Sequence, residues 1–491
     1  MASSDRPSGL KNFKKDPSIM SFDLNSRFRF HLILTTVLAF GTIASASATE
    51  TISLRERVDG QRVVRTSCTM TAEGLYFLDP PIDPKSTKPE KVQPETLKVQ
   101  ANTKLIVLDR WNLSESADGP NSGVLIARRL VEFAQADIGG QVRPAANQIR
   151  KHRRRFLTDM QDEMVRNGSL DGPITRQELE AITTPGDGIT LWTLLPKQEI
   201  ALGETYKIDQ LGAKSLTLFD TIAVNSLEAK IETIDSARVQ IRVRGEVRGA
   251  VLGAEGKMTI QGTIGFDRDA GLVDSLTINR DESRRPGSVE AGLEIHSKLE
   301  VKREVVKKPV PELTDEVVEN WPKFIENKHL SIEWQEPSGL FVIDHARDWH
   351  VTWTDTQESV LKRVDKGGTV IAQCNLKRGP TVAAGRHQDP AQFRDDVRTA
   401  LGTQYKRVFG EGELDRLEGQ GYGYKLAVEG LIQELPVVWY YYLMSSPMGV
   451  QYLGTITTTL SESRDAAKSG LSLVETLRWS SQPLKPTESA K

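Results

Sequence analysis

The densest group of potentially reactive side chains is a set of carboxylates and imidazoles in the C-terminal part of the chain: Asp344, His345, Asp348 and His350. Such groups act as general acids and bases and as metal ligands, so they could serve a hydrolase or a metal, with His387 and Asp389 joining them through the fold. No recognised metal-ligand spacing is present, and Asp389 suits a helix N-cap. We therefore favour a polar hairpin turn, and predict no metal, no cofactor and no catalytic residue.

Sequence signatures of familiar enzymes are absent from this sequence. It contains no Gly-x-Ser-x-Gly elbow, His-Glu-x-x-His motif, phosphate-binding loop or Cys-x-x-Cys pair. The prediction is a non-enzymatic binding or assembly protein, with an unrecognised hydrolase at the histidine cluster as an alternative.

A run of basic residues forms the first candidate binding site, and it consists of Arg150, Lys151, Arg153, Arg154 and Arg155. Positive charges this close together could hold a polyanion, such as an acidic polysaccharide or lipid head groups. The alternative is a solvated helix face on which Asp159, Asp162 and Glu163 balance the charges through i,i+4 pairs.

An aromatic run forms the second candidate site. On a strand, Trp439 and Tyr441 face one side while Tyr440 and Tyr442 face the other. An exposed pair would mark a surface for a partner protein or a carbohydrate. The alternative is a central strand that is buried on both faces.

Alternating apolar and polar residues predict an antiparallel β meander between Val224 and Val305. One strand points Val239, Ile241, Val243 and Val247 to one face, and the next strand does the same with Met258, Ile260, Ile264 and Phe266. This apolar face needs a cover. A helix over 147–166, with Ile149, Phe156, Met160 and Met164 on one stripe, is the nearest candidate. A lipid-like ligand in a cavity on this face is another alternative.

The proline-rich segment Lys307-Lys308-Pro309-Val310-Pro311 indicates a domain boundary. We predict a signal peptide over 1–48, a β-rich domain with a helical insertion over 49–305 and a linker over 306–337. An α+β domain over 338–480 and a disordered tail over 481–491 follow. The predicted fold class is α+β, with an N-terminal meander or half-barrel under covering helices and a C-terminal α-β-α sandwich.

The second predicted domain resembles the PsbP-like α-β-α fold. The resemblance rests on four segments: Gly339 to Trp349, Val370 to Asn375, the helix from Phe393 to Leu401, and Tyr440 to Gly449. It implies a binding or assembly partner and no catalytic residue to transfer. The first domain resembles, more loosely, the open β half-barrels of periplasmic lipoprotein carriers, which hold acyl chains. The whole chain also resembles uncharacterised bacterial secreted proteins.

The N-terminus has the pattern of a secretory signal peptide. Arg27 and Arg29 precede an apolar run from Leu32 to Ile43, and small residues lead up to Ala48. The run is too short to cross a bilayer, so we expect cleavage after about Ala48, whether translation starts at Met1 or Met20. The remainder is expected to be secreted or periplasmic and soluble, without an integral membrane span.

Charge and cysteine content narrow the partners. The 491 residues carry a net charge of −2, which argues against nucleic-acid binding. The only cysteines, Cys68 and Cys374, are expected to be buried and unpaired. The expected partner is an unknown envelope protein or an apolar ligand.

Overall fold

A computed structural model describes residues 51–78, 95–116, 119–139, 149–161, 163–414 and 421–480. The described residues, from Thr51 to Ser480, belong to one compact unit. The predicted signal peptide and the predicted disordered tail lie outside the described residues.

Strands make up most of the described structure. In chain order they are β1 (Thr51–Ile52), β2 (Val63–Leu78), β3 (Glu95–Ser116), β4 (Gly119–Ile138), β5 (Arg155–Gln161), β6 (Met164–Ser169), β7 (Ile174–Thr175), β8 (Ile200–Ala201), β9 (Thr205–Lys207), β10 (Thr221–Asn225), β11 (Glu228–Ile234), β12 (Arg238–Val251), β13 (Ala254–Asp267), β14 (Leu272–Arg284), β15 (Gly292–Val305), β16 (Ile332–Gln335), β17 (Phe341–His345), β18 (Trp349–Thr354), β19 (Glu358–Val364), β20 (Val370–Arg378), β21 (Tyr405–Glu413), β22 (Tyr422–Ile432), β23 (Leu435–Ser445), β24 (Gln451–Thr459) and β25 (Arg478–Trp479).

Helices are few and short by comparison. The α-helices are α1 (Arg176–Ile182), α2 (Gln210–Thr217), α3 (Asp315–Val318), α4 (Pro390–Leu401) and α5 (Ser463–Glu475). Short 3₁₀ helices cover Gly188–Leu194, Pro311–Leu313, Asn327–Leu330 and Gly402–Gln404.

The strands form two large sheets and two small ones. The N-terminal sheet has 12 strands in the order β6-β5-β4-β3-β2-β15-β14-β13-β12-β11-β9, with β10 paired to β12. The C-terminal sheet has seven, in the order β18-β19-β20-β24-β23-β22-β21. A connecting sheet, β25-β17-β16-β7, joins the two parts of the chain, because β7 belongs to the N-terminal part and pairs in parallel with β16.

The predicted antiparallel meander is confirmed in β11 to β15, whose neighbours in sequence pair with each other. The eight side chains assigned to its apolar face on β12 and β13 are all buried in one core cluster. Residues assigned to the opposite face, such as Gln240 and Arg242, are exposed. Because side chains alternate across a strand, the local sequence was enough to assign the faces.

The cover over this face differs from the predicted one. It comes from residues 174–219, which we call the covering segment. Its buried apolar side chains belong to the same core cluster as β12 and β13, and they include Ile182, Leu191, Leu194, Leu216 and Phe219. The chain therefore fills the apolar face of its N-terminal sheet with its own residues.

The predicted helix over 147–166 is wrong: strands β5 and β6 occupy half of this range. Phe156 packs in the core beneath the covering segment, whereas Leu157 packs on the opposite face against Leu313, Val318 and Trp321. A strand that is buried on both faces loses its alternation of apolar and polar residues, so the pattern could not identify it.

The predicted α+β class with a C-terminal α-β-α sandwich is also wrong, because the described chain is predominantly β. Among the described residues, one α-helix contacts each face of the C-terminal sheet, α4 through Phe393 and Val397 and α5 through Leu473 and Val474. Single helices over a sheet of seven strands do not form two helical layers. The N-cap of α4 was predicted correctly, since the Asp389 carboxylate accepts from the Ala391 backbone N–H at 2.7 Å.

A buried ion-pair network ties the covering segment to the N-terminal sheet. The guanidinium of Arg129, on β4, is fully buried and donates to Asp109 on β3 at 2.8 and 2.9 Å. It also donates to Asp187 at 2.7 and 2.6 Å. Asp187 caps the 3₁₀ helix Gly188–Leu194 by accepting from the Ile189 backbone N–H. One arginine thus fixes the helix against two strands.

We predict that Arg129→Met lowers the free energy of unfolding by about 3–5 kcal/mol, because it leaves two carboxylates buried without their cation. Urea denaturation of the two proteins measures this difference. Arg242→Met is the matched control, since Arg242 is 62% exposed and pairs with Glu232 on the surface. It should change the free energy by less than about 1 kcal/mol. Equal small losses in both variants would contradict the role given to the network.

Candidate functional site

The predicted histidine cluster does not assemble into a reactive site. Asp344 accepts two hydrogen bonds from Arg478, at 2.7 and 2.8 Å, and Asp348 accepts one from Arg363 at 2.7 Å. His387 lies elsewhere, stacked on Tyr422 with ring centroids 3.5 Å apart. Among the described residues, no group of three or more His, Cys, Asp or Glu is placed to hold a metal ion.

Burial keeps the two neighbouring imidazoles neutral. It lowers the pKa of His345 to about 4 and that of His350 to about 4, and the nearby Arg176 adds to both shifts. The Nδ1 atom of His345 lies 2.8 Å from the Ala346 carbonyl oxygen. These contacts fit a structural role in the turn from β17 to β18. The predicted hairpin is wrong, because the two strands lie in different sheets and do not pair with each other.

Both cysteines are buried and unpaired, as predicted. Burial raises the pKa of Cys68 to about 11 and that of Cys374 to about 12. A thiol must ionise to act as a nucleophile, so neither residue is suited to catalysis at neutral pH.

The basic run is divided between structural and unpaired residues. Arg150 is committed to Glu178 and Glu333, each at 2.7 Å, and Arg153 donates to the Pro173 carbonyl oxygen at 3.1 Å. Arg155 pairs with Asp171 through a 2.8 Å hydrogen bond. In contrast, Lys151 and Arg154 form no ion pair with a described residue. The predicted i,i+4 pairing along a helix face does not occur, because the run is a turn that leads into β5.

The aromatic run is covered on both sides. Trp439 is only 5% exposed, and it packs with Tyr441 in the cluster beneath α4. Tyr440 and Tyr442 belong to the cluster beneath α5. Trp439 and Tyr441 therefore form no exposed aromatic surface in this structure.

An apolar groove, which sequence reasoning missed, lies beside the covering segment. It has a volume of about 610 Å³. Its apolar wall consists of Leu54, Val58, Leu125, Met160, Leu195 and Pro196, and Trp192 projects into it. The charged side chains at its rim are Arg55, Glu56, Lys197 and Asp209. Small-molecule sites in proteins combine this size range with a mainly apolar lining and a few polar groups.

Trp192 is the unusual residue of the groove. It is 41% exposed, although Leu191 and Thr193 beside it are buried. A large apolar ring exposed within a buried helix marks a contact surface more often than a packing site. The sequence signal is faint, because residues 189–195 form an apolar run without a period of 2 or 3.6.

The charges at the rim are unequally satisfied. Glu56 pairs with the buried Arg303 at 2.5 Å, and Lys197 pairs with Asp209 at 2.8 Å. Arg55 is exposed and forms no ion pair with a described residue. The groove therefore offers an apolar wall beside one uncompensated cation.

We predict that the stability of this protein falls as the pH drops from about 6.5 to about 4, partly through His345 and His350. Their pKa values are lowered in the folded state, so in this window the unfolded chain binds protons that the folded chain does not. Each histidine adds up to about 1.4 kcal/mol per pH unit. Urea denaturation at several pH values in this range gives the free energy of unfolding as a function of pH. This free energy should fall less steeply with decreasing pH for His345→Asn than for the wild type. The control is His152→Asn, because His152 is exposed. The same pH dependence of the free energy of unfolding in His345→Asn and the wild type would contradict this prediction.

No helix among the described residues is both long enough and apolar enough to span a membrane.

Comparisons with known proteins assign no family. No family model and no curated protein matches this chain. A solved protein of unknown function from Pseudomonas aeruginosa, described as a putative regulator, is 12% identical over 32% of this chain and 99% of its own, with a TM-score of 0.20. A mutant Rh. blastica porin is 10% identical over 80% of this chain and 99% of its own, with a TM-score of 0.11. Scores this low support no shared fold.

The predicted resemblances to the PsbP-like fold, to lipoprotein-carrier half-barrels and to bacterial secreted proteins are corrected: the structure is mostly β, and no PsbP-like fold is shown.

Proposed function

We propose that this chain is an exported, non-enzymatic binding protein that holds an acyl amphiphile in the apolar groove. The ligand is a single acyl chain with an anionic head group, such as a fatty acid. The observation that carries this proposal is Trp192, whose ring is exposed at the groove although the residues beside it are buried.

The wall of the groove supports the acyl part of this proposal. Its apolar side chains come from three places: the N-terminal segment before β2, the strands β4 and β5, and the middle of the covering segment. An alkyl chain laid along them would remove its own surface and the Trp192 ring from water, which stabilises the complex in proportion to the apolar area buried.

Arg55 supports the choice of an anionic head group. The other three charged residues that line the groove have partners of opposite charge, whereas Arg55 forms no ion pair within the part of the chain that the structure describes. A carboxylate at this position would gain charge-assisted hydrogen bonds without displacing an existing ion pair. The proposed export rests on the apolar run from Leu32 to Ile43 and the small residues that follow it.

We predict that laurate binds the purified protein and that Trp192→Ala weakens this binding about tenfold, because the acyl chain loses its aromatic contact. Isothermal titration calorimetry measures both affinities. Trp353→Ala is the matched control, since Trp353 is 60% exposed but lies on β18 of the C-terminal sheet. No laurate binding, or an equal loss in both variants, would contradict the proposal.

The head group is tested by a pair of probes of equal chain length. Arg55→Gln should weaken laurate binding but leave the binding of uncharged dodecanol unchanged, because only laurate presents an anion to Arg55. A similar loss for both probes would show that Arg55 does not recognise the head group.

A further inference from the structure

A second cavity lies where the basic run folds against the N-terminal sheet. It has a volume of about 930 Å³. The cations that line it are Arg65 of β2, Lys151 and Arg154 before β5, Arg155 at the start of β5, and Lys308 after β15. We call this cavity the basic cleft. Long-range folding, rather than the run alone, brings these cations together.

Two of the five cations are neutralised within the cleft. Arg65 donates to Glu132 at 3.0 Å, and Arg155 donates to Asp171 at 2.8 Å. Lys151, Arg154 and Lys308 form no ion pair with a described residue. Of the described residues that line the cleft, the one other carboxylate is Glu312, which is exposed. The cleft therefore carries a surplus of positive charge although the whole chain is slightly negative.

Arg154 is the most informative of these residues. Its Nε–H is buried and has no hydrogen-bond acceptor among the described residues. Its backbone is held in place, because its carbonyl oxygen accepts from the Val131 N–H at 2.9 Å. A buried donor without an acceptor costs free energy, which binding of an acceptor would recover.

Chemistry favours an oxyanion as that acceptor. A guanidinium presents its N–H groups in a planar fork that matches the oxygens of phosphate, and two lysines nearby add point charges. We infer that the basic cleft binds a phosphate group, either free or as part of a lipid head group. This site is separate from the apolar groove and does not depend on the function proposed for it.

Two probes test the inference and separate the two sources of phosphate. Inorganic phosphate is titrated into the full chain by calorimetry, and vesicles of phosphatidylglycerol in phosphatidylcholine are compared with phosphatidylcholine alone by co-sedimentation. Binding of inorganic phosphate alone identifies a free phosphate ligand, and binding of the phosphatidylglycerol vesicles alone identifies a head group. Either should weaken with added salt, because the surplus cations are exposed to screening.

Substitution then locates the binding. Arg154→Gln should lower the affinity for the probe that binds about tenfold. Lys308→Gln, a substitution at an exposed position, should lower this affinity as well. Arg244→Gln removes an equal charge from an exposed position on β12 and should leave the affinity unchanged. The inference is overturned if neither probe binds, or if Arg154→Gln and Lys308→Gln bind as tightly as Arg244→Gln.

Discussion

The main core of the N-terminal part lies on one face of its large sheet, and this face must be kept from water. Much of the structure follows from how the chain does this. Residues 174–219 lie over the face, and one buried arginine, Arg129, fixes the start of their 3₁₀ helix to β3 and β4. Burial of this cation costs free energy. The cost is offset because the carboxylates of Asp109 and Asp187 and the side chain of Asn167 accept hydrogen bonds from all the N–H groups of the guanidinium. The cover is therefore positioned by electrostatics as well as by apolar contact.

The covering segment is held in place on the sheet, and the apolar groove lies beside it. The interior beneath the covering segment is packed with buried side chains such as Leu191 and Leu194. Leu195 and Pro196 follow Leu194 and form part of the apolar wall beside the exposed Trp192. The sequence analysis considered a ligand cavity on the apolar face of the meander. The structure instead has an apolar groove beside the covering segment.

Local sequence signals predicted the features that depend on neighbouring residues. The alternation along β12 and β13, and the Asp389 cap of α4, need only a few consecutive positions. β5 escaped prediction because Phe156 and Leu157 are buried on opposite faces by segments far away in the sequence. The covering segment escaped prediction because the apolar run over 189–195 has neither the period of 2 of a strand nor the period of 3.6 of an α-helix. The basic run was found as a run, but only the fold shows that Glu178, Glu333 and Asp171 pair with part of it. Among the described residues, Arg154 has no ion-pair partner.

Native mass spectrometry of the protein purified from an exported fraction tests the central claim most directly, because it reports the processed chain together with whatever it retains. A chain that begins at about Thr49 and carries the added mass of one fatty acid, absent when Trp192 is replaced by Ala, is the predicted result. A chain without added mass, isolated from a source rich in fatty acids, would contradict the assignment of the groove.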